Sequence, residues 1–326
     1  MEEILRKIGA FFKRGLTRRS FLKVGGASLA VLLSQKLFPT KAFAAKKESA
    51  GRKKSKIKGD HDIVLAEGRD PYKNTEKAIE LLGGMGRFVK KGSVVVIKPN
   101  MAWDRTPEQA SNTNPYVVGC LVDLCFKAGA KRVNVFDVPC NDARRVYNRS
   151  GIAEMAKKKG ASVYFADHWN VVKARFPYPS PMEKWPVLRD AVECDTFINV
   201  PVLKHHGLTG LTLSMKNLMG VCSGTRGLIH IDIGRKLVDL TDFISPDLTV
   251  IDATRVLVKH GPSGGNMEDV VVMNKVFAGT DPTLCDSYAC SLMKKDPSSV
   301  PYIAEAIKKN FGNADISKAK IHTVKV

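Results

Sequence analysis

From residue 59 to the C-terminus, short runs of β-branched and aliphatic residues alternate with stretches of helical spacing, and no other feature restricts the fold as much. Strands are expected over 63–66, 93–97, 132–136, 162–165, 196–200, 248–251, 270–278 and 322–326. Helices are expected over 75–85, 114–128, 152–159, 237–243, 282–293 and 300–308. Asn114 followed by Pro115 is a start signal: an N-cap acceptor, then a residue that needs no amide hydrogen. The run SVVVI at 93–97 lacks polar alternation, as a strand buried on both faces requires. This pattern predicts an α/β fold, a mainly parallel sheet with helices on both faces. Ligands of such sheets bind outside the carboxyl ends of the strands, so the site is expected there.

Residues 1–44 have a different character. Thr17-Arg18-Arg19-Ser20-Phe21-Leu22-Lys23 leads into a largely apolar run of twelve residues between Lys23 and Lys36, and then to Ala42-Phe43-Ala44. A basic segment, an apolar run and a small-x-small site in that order form a secretory signal. The arginine pair resembles the twin-arginine (Tat) export signal. The apolar run falls short of the roughly 20 residues that span a bilayer, and no later segment reaches ~18, so no stable transmembrane segment is expected in the mature protein. The expected organisation is a Tat signal peptide at 1–44, a basic disordered linker at 45–60 and an α/β domain at 61–326. The expected partner of the leader is the Tat translocase, and the expected address is the periplasm. Tat substrates cross folded, which suits a protein loaded with a cofactor or metal beforehand.

The net charge of +20 follows this division. Residues 1–44 hold nine Lys/Arg against two Glu and residues 46–58 hold seven against one, so +7 remains on the rest. The body has no basic stripe interleaved with aromatics, which argues against a nucleic-acid partner. Mild basicity suits a small anionic ligand or a solvated surface. The seven cysteines contain no C-x-x-C pair, so no iron–sulfur or zinc-ribbon motif is present. Most are expected as core thiols, with Cys222, in a polar Gly/Ser-rich segment, as the exception.

Polar groups follow the expected strands: Lys98 and Asn100, then Asp137, then Asp167 and His168, then Lys204, His205 and His206, then Asp252, then Asp281. Segment 204–230, KHHGLTGLTLSMKNLMGVCSGTRGLIH, adds Lys216, Asn217, Cys222 and His230 among five glycines. Two chemistries fit. His205, His206 and His230 could ligate a transition metal with Asp232 or Cys222. Alternatively, lysines and loop amides could hold a carboxylate or phosphate. Adjacent histidines on a strand point to opposite faces, so His205 and His206 do not share one ion. The candidate catalytic groups are His205, His230 and Lys216. The candidate substrate-binding set is Lys98, Asn100, Lys204, Asn217, Asp252 and Asp281. The loop 261–266 could cradle an anion through its amides. No Walker or G-x-G-x-x-G sequence occurs, which argues against a nucleotide site, and an α/β-hydrolase is not expected.

Four segments occur in order: Val96-Ile97-Lys98-Pro99-Asn100, Asn199-Val200-Pro201-Val202-Leu203-Lys204-His205-His206, Ser214-Met215-Lys216-Asn217-Leu218-Met219-Gly220 and Ala278-Gly279-Thr280-Asp281-Pro282. Together they resemble the family designated domain of unknown function 362, over about residues 62–295. After Gly-Thr-Asp-Pro the family's typical Ala-Val-Asp is Leu284-Cys285-Asp286 here, which keeps the aspartate. Many members carry ferredoxin-like cysteine clusters, which this chain lacks. The family is distantly similar to the nickel-pincer lactate racemase group, an α/β fold that uses His and Lys. The resemblance thus implies an α/β protein with a metal or other cofactor left open. Two functions remain in view. One is an exported enzyme using a Lys/His site on a small carboxylate-type substrate. The other is a non-catalytic periplasmic binding or accessory protein for a redox partner.

Overall fold

Successive side chains of a strand point to opposite faces, so a fully apolar strand must be covered twice. The computed structural model shows this for 94–99, and it describes residues 48–52, 59–166, 170–177 and 179–326. The leader at 1–44, most of the linker, and Asp167 and His168 lie outside the described residues. Along the chain run β1 (Glu48–Ser49), β2 (Ile63–Glu67), α1 (Pro71–Leu81), β3 (Val94–Pro99), α2 (Pro115–Lys127), β4 (Arg132–Val135), α3 (Ala143–Arg149) and α4 (Ile152–Lys158). There follow β5 (Ser162–Val163), β6 (Val171–Arg175), β7 (Lys184–Leu188), α5 (Arg189–Glu193), β8 (Thr196–Val200), β9 (Val202–His206), β10 (Gly210–Thr212) and α6 (Ser214–Asn217). The chain ends with α7 (Ile233–Ile244), β11 (Leu248–Leu257), β12 (Val270–Gly279), α8 (Pro282–Leu292), α9 (Pro301–Lys308) and β13 (Ile321–Lys325).

The main sheet has the order β13-β2-β12-β11-β8-β3-β4-β5, with β9 beside β11 and β10 beside β9. β3 pairs parallel with β4 and β8, and β11 pairs parallel with β8 and β9. β12 runs antiparallel to both β11 and β2. The fold is therefore α/β with a mostly parallel central sheet. Val95 and Ile97 pack on one face in a core with Ile79 of α1 and Val117, Val118 and Leu121 of α2. Val96 packs on the other with Leu237 of α7, Ala289 of α8 and Ile303 of α9. Lys98 shares the parity of Val96 and so enters the second face.

Several elements differ from the sequence expectation. The helix expected at 75–85 runs instead over Pro71–Leu81, because Asp70 accepts from the amides of Tyr72 and Lys73 and Pro71 fills the first position. Strands β6 and β7 pair antiparallel, a pairing that charge alternation concealed. Segment 202–212, which reads as a Gly-rich loop, is the hairpin β9–β10. Within the expected linker, Glu48–Ser49 pairs with β6, and Arg52 bonds to Asp247 at 2.6 Å and to the carbonyls of Ile244 and Ser245 at 3.0 Å. That guanidinium has a carboxylate and unfilled helix-end carbonyls to satisfy, which fixes an otherwise polar segment.

Candidate functional site

A cleft of about 650 Å³ opens at the carboxyl ends of the parallel strands, where Lys98 and Asn100 leave β3 and Asp137 leaves β4. It gathers Lys98, Asn100, Lys204, Lys216, Asn217 and His230, six of the nine candidate residues. His206, Asp137, Trp103, Thr212, Cys140 and Arg226 complete the polar and aromatic lining.

The three lysines differ in their partners. Lys98 Nζ is 2.8 Å from Asp137 Oδ1 and donates to the Pro99 carbonyl at 2.7 Å and to Asn217 Oδ1 at 3.0 Å. Asn217 Nδ2 donates back to the Lys98 carbonyl and to Asn199 Oδ1, so the whole arm is clamped. Burial pushes the Lys98 ammonium below its ordinary pKa, and the Asp137 carboxylate opposes that push. Lys204 Nζ donates to the Ser111 carbonyl at 2.5 Å and to Asn100 Oδ1 at 3.3 Å, with the Trp103 ring centroid 5.8 Å away. Burial brings it down to about 7; Lys216 and Lys98 reinforce that, while Cys140 and Asp137 resist it. Lys216 Nζ meets the Met219 sulfur at 3.5 Å, and burial brings it down to about 8.

The two histidines of the cleft are held in complementary tautomers. His206 Nδ1 accepts from the amides of Leu208 and Thr209 at 3.1 and 3.3 Å, so its proton sits on Nε2. His230 Nδ1 lies 3.2 Å from the Gly227 carbonyl, which can only accept, so its Nε2 carries the free lone pair. The rings are nearly parallel with centroids 6.3 Å apart. Burial and the neighbouring lysines hold His206 down to about 3 and depress His230, so both are neutral at physiological pH.

Three candidate residues stand elsewhere. His205 points to the opposite side of β9, where its Nδ1 accepts from the Gly261 amide at 3.2 Å; its neighbour His206 shares the Lys204 face. Alternation makes Lys204 and His206 the natural pair, so the histidine to choose was legible. Asp252 shares the parity of Val250 and lies under α2, accepting from the Asn114 amide at 2.7 Å and from Thr254 Oγ1 at 2.7 Å. Asp281 caps α8, accepting from Thr283 and Leu284 amides, and also takes the Asn313 amide at 2.7 Å. Asp281→Ala should cost about 1 kcal/mol in chemical denaturation and leave ligand affinity at the cleft unchanged, as loss of a cap predicts. A change in affinity there would return Asp281 to the site.

The metal set does not assemble: among the described residues, no three His, Cys, Asp or Glu side chains come close enough to hold an ion. Cys222 is fully buried and its thiol is pushed up to about 12, while Cys140 is the exposed cysteine. Asp232 pairs with Arg235 at 3.5 Å. Gly261-Pro262-Ser263-Gly264-Gly265 does match the spacing of a nucleophile elbow, but it lies between β11 and a 3-10 turn at Met267–Asp269 rather than between strand and helix. Its Ser263 carbonyl accepts from Ser111 Oγ at 2.9 Å, and its Gly264 and Gly265 carbonyls accept from Arg105 and Gln109 side chains. Arg226 pins the 3-10 turn Arg226–His230 by donating to the Val138 and Pro139 carbonyls at 2.8 and 2.9 Å. No sequence signal distinguished Trp103 or Arg226 from ordinary loop residues.

Fold and cleft together define an α/β protein with a lysine- and histidine-lined pocket at its strand ends. The chain belongs to the family described as Domain of unknown function (DUF362), whose model matches residues 95–291. It is 27% identical over 243 residues to the thylakoid-associated protein sll1697 of Synechocystis sp. (strain ATCC 27184 / PCC 6803 / Kazusa), covering 69% of this chain and 71% of that protein. Among solved structures it aligns with the lactate racemase apoprotein from Thermoanaerobacterium thermosaccharolyticum with a TM-score of 0.46 and 13% identity. That alignment covers 75% of this chain and 58% of the other, so this chain spans less than two thirds of that structure. No helix of the described residues is long and apolar enough to cross a membrane.

Proposed function

We propose that the chain is an exported enzyme acting on a small, carboxylate-bearing molecule held in this cleft. Lys216 receives the carboxylate, His206 Nε2–H donates to the reacting oxygen, and His230 Nε2 accepts a proton. Lys98, Asn100 and Asn217 fix the geometry around them. The observation that supports this reading is the meeting of three buried lysines in one hollow, with a bonded carboxylate only at Lys98 among the described residues. A buried ammonium without a counter-charge costs several kcal/mol, and an anionic ligand supplies what the protein withholds. Neutral histidines in opposite tautomers suit proton transfer better than they suit charge binding.

Titration calorimetry with acetate, lactate and malonate tests the binding half. Lys216→Met should weaken the tightest of these by ~10–100-fold, the worth of one charged hydrogen bond. Equal affinities in wild type and variant, or no binding at all, would remove the basis for the proposal. Binding with no chemical change in any small carboxylate would leave a carrier or accessory protein instead.

The export half is supported by the order of the leader segments alone. Replacing Arg18 and Arg19 by Lys should retain the full-length chain in the cytoplasmic fraction of a host with a working Tat translocase. Equal periplasmic yield of variant and wild type would end the Tat assignment.

A further inference from the structure

Among the three lysines of the cleft, hydrogen-bond partners sort the nitrogens by chemical role. Lys98 Nζ is ion-paired with Asp137 Oδ1 at 2.8 Å and donates to the Pro99 carbonyl and Asn217 Oδ1, so a carboxylate holds it as an ammonium. Lys216 Nζ touches only a thioether among the described residues and keeps its charge free for an anion. Lys204 Nζ has two carbonyl-type acceptors, Ser111 O and Asn100 Oδ1, and no carboxylate. Two acceptors hold both hydrogens of a neutral amine and leave its lone pair unoccupied. The nitrogen is fully buried, and desolvation of that kind keeps a lysine amine uncharged and nucleophilic, against the weaker pull of the Trp103 ring face 5.8 Å away toward the ammonium.

Two neighbours fit a carbonyl placed on that lone pair. His206 lies on the same face of β9 two residues on, roughly 7 Å along the strand, with Nε2–H available as donor. Thr212, paired with Lys204 across the β9–β10 hairpin, has a buried hydroxyl with no partner among the described residues and lines the same cleft. A buried hydroxyl without a partner is an unfilled position for a polar ligand atom.

We propose that Lys204 forms a Schiff base with the ketone of a small 2-oxo acid whose carboxylate rests on Lys216. This rests on the carboxylate-binding reading above and names its substrate class. The Lys204 nitrogen forms a C–N bond to the carbonyl carbon, and the carbon–oxygen bond breaks. One of the two protons on the nitrogen departs with the oxygen as water, joined by a proton drawn from solvent through His230, while His206 Nε2–H donates to the leaving oxygen; the nitrogen keeps its other hydrogen, so the product is an iminium. The iminium then withdraws electrons from the neighbouring carbon, whose proton His230 Nε2 would take.

Pyruvate with cyanoborohydride, followed by intact mass and peptide mapping of the wild-type protein, tests this. The expected result is one reduced pyruvyl adduct, on the peptide containing Lys204, at roughly tenfold or more over any other lysine. It should be suppressed by lactate and absent in Lys204→Met. Lys204→Arg, which keeps N–H donors for Ser111 O and Asn100 Oδ1 but has no nucleophilic lone pair, should bind pyruvate without being trapped. Adducts spread over surface lysines, or none while calorimetry shows pyruvate binding, would overturn the Schiff base and leave the carboxylate reading standing. If neither pyruvate nor lactate binds, both fall together.

Discussion

Gly220→Ala should lower the stability of the fold by ~3–5 kcal/mol and abolish binding at the cleft, although it adds one methyl group. Gly220 sits in the 3-10 turn Leu218–Val221, directly over the buried ion pair. A Cβ there would overlap Asp137 Oδ1 and stand 2.5 Å from Lys98 Nζ. Neither partner can retreat. The other oxygen of Asp137 takes the Met101 amide at 2.7 Å, and Lys98 is clamped by Asn217. The methyl therefore has to separate the pair, which leaves a fully buried ammonium beside an unpaired carboxylate. Breaking such a pair costs far more than its formation gains. Gly86→Ala is the control, because an added Cβ there meets nothing within 4 Å. Urea midpoints for both variants check the claim. A Gly220→Ala protein with the wild-type midpoint would mean that the turn can lift away from the pair.

The same glycine shows what was legible in the sequence. The block Lys216-Asn217-Leu218-Met219-Gly220 carries the family resemblance, and each of its polar members lines the cleft. The strand–helix alternation likewise led directly to the parallel core. Much of the rest was hidden for one physical reason: parity is readable only when one face of a strand is apolar and the other polar. β9 reads Val-Leu-Lys-His-His, and both of its faces are buried or nearly so, one by Leu203 and the other by Lys204 and His206. A buried lysine mimics an exposed one in any hydropathy pattern. So β9 resembles a loop, and His205 looks as good as His206. Asp252 and Asp281 illustrate the complementary error. Carboxylates at strand ends also serve helix starts, and here both accept backbone amides, one beneath α2 and one at the head of α8.

Between about pH 7 and about pH 8 the unliganded protein should become more stable, and its affinity for a small carboxylate should fall. Lys204 and Lys216 have folded values of about 7 and about 8 against an ordinary 10.5. In this window the unfolded chain keeps both protons while the folded chain sheds them, so stability rises with pH. Integrated over the window, the two lysines contribute ~1–2 kcal/mol. The other titrating groups of the cleft do not reverse the sign. His206 and His230 are depressed in the folded protein, so the protons their unfolded imidazoles still hold near pH 7 add to the trend. Asp286, raised by burial to about 7, is half protonated at the lower limit and offsets about half a kcal/mol of the gain as it ionises across the window. The buried thiols of Cys120, Cys125, Cys194, Cys222 and Cys290 are all raised by burial and oppose it where unfolded cysteines ionise, mainly above the upper limit. Binding follows the opposite sign because an anion draws a proton back onto Lys216. Urea midpoints with and without lactate at the two pH values measure both slopes. Lys204→Met should flatten the stability slope and raise stability at about pH 7 by ~1–2 kcal/mol, since a methionine of similar length has no charge to desolvate. The gain stays small because Ser111 O and Asn100 Oδ1 each lose a donor. A variant that gains stability while losing its ligand would show that these lysines are maintained for chemistry at the expense of the fold. A variant that loses stability would mean that Lys204 is held charged, with its two carbonyl partners outweighing its burial.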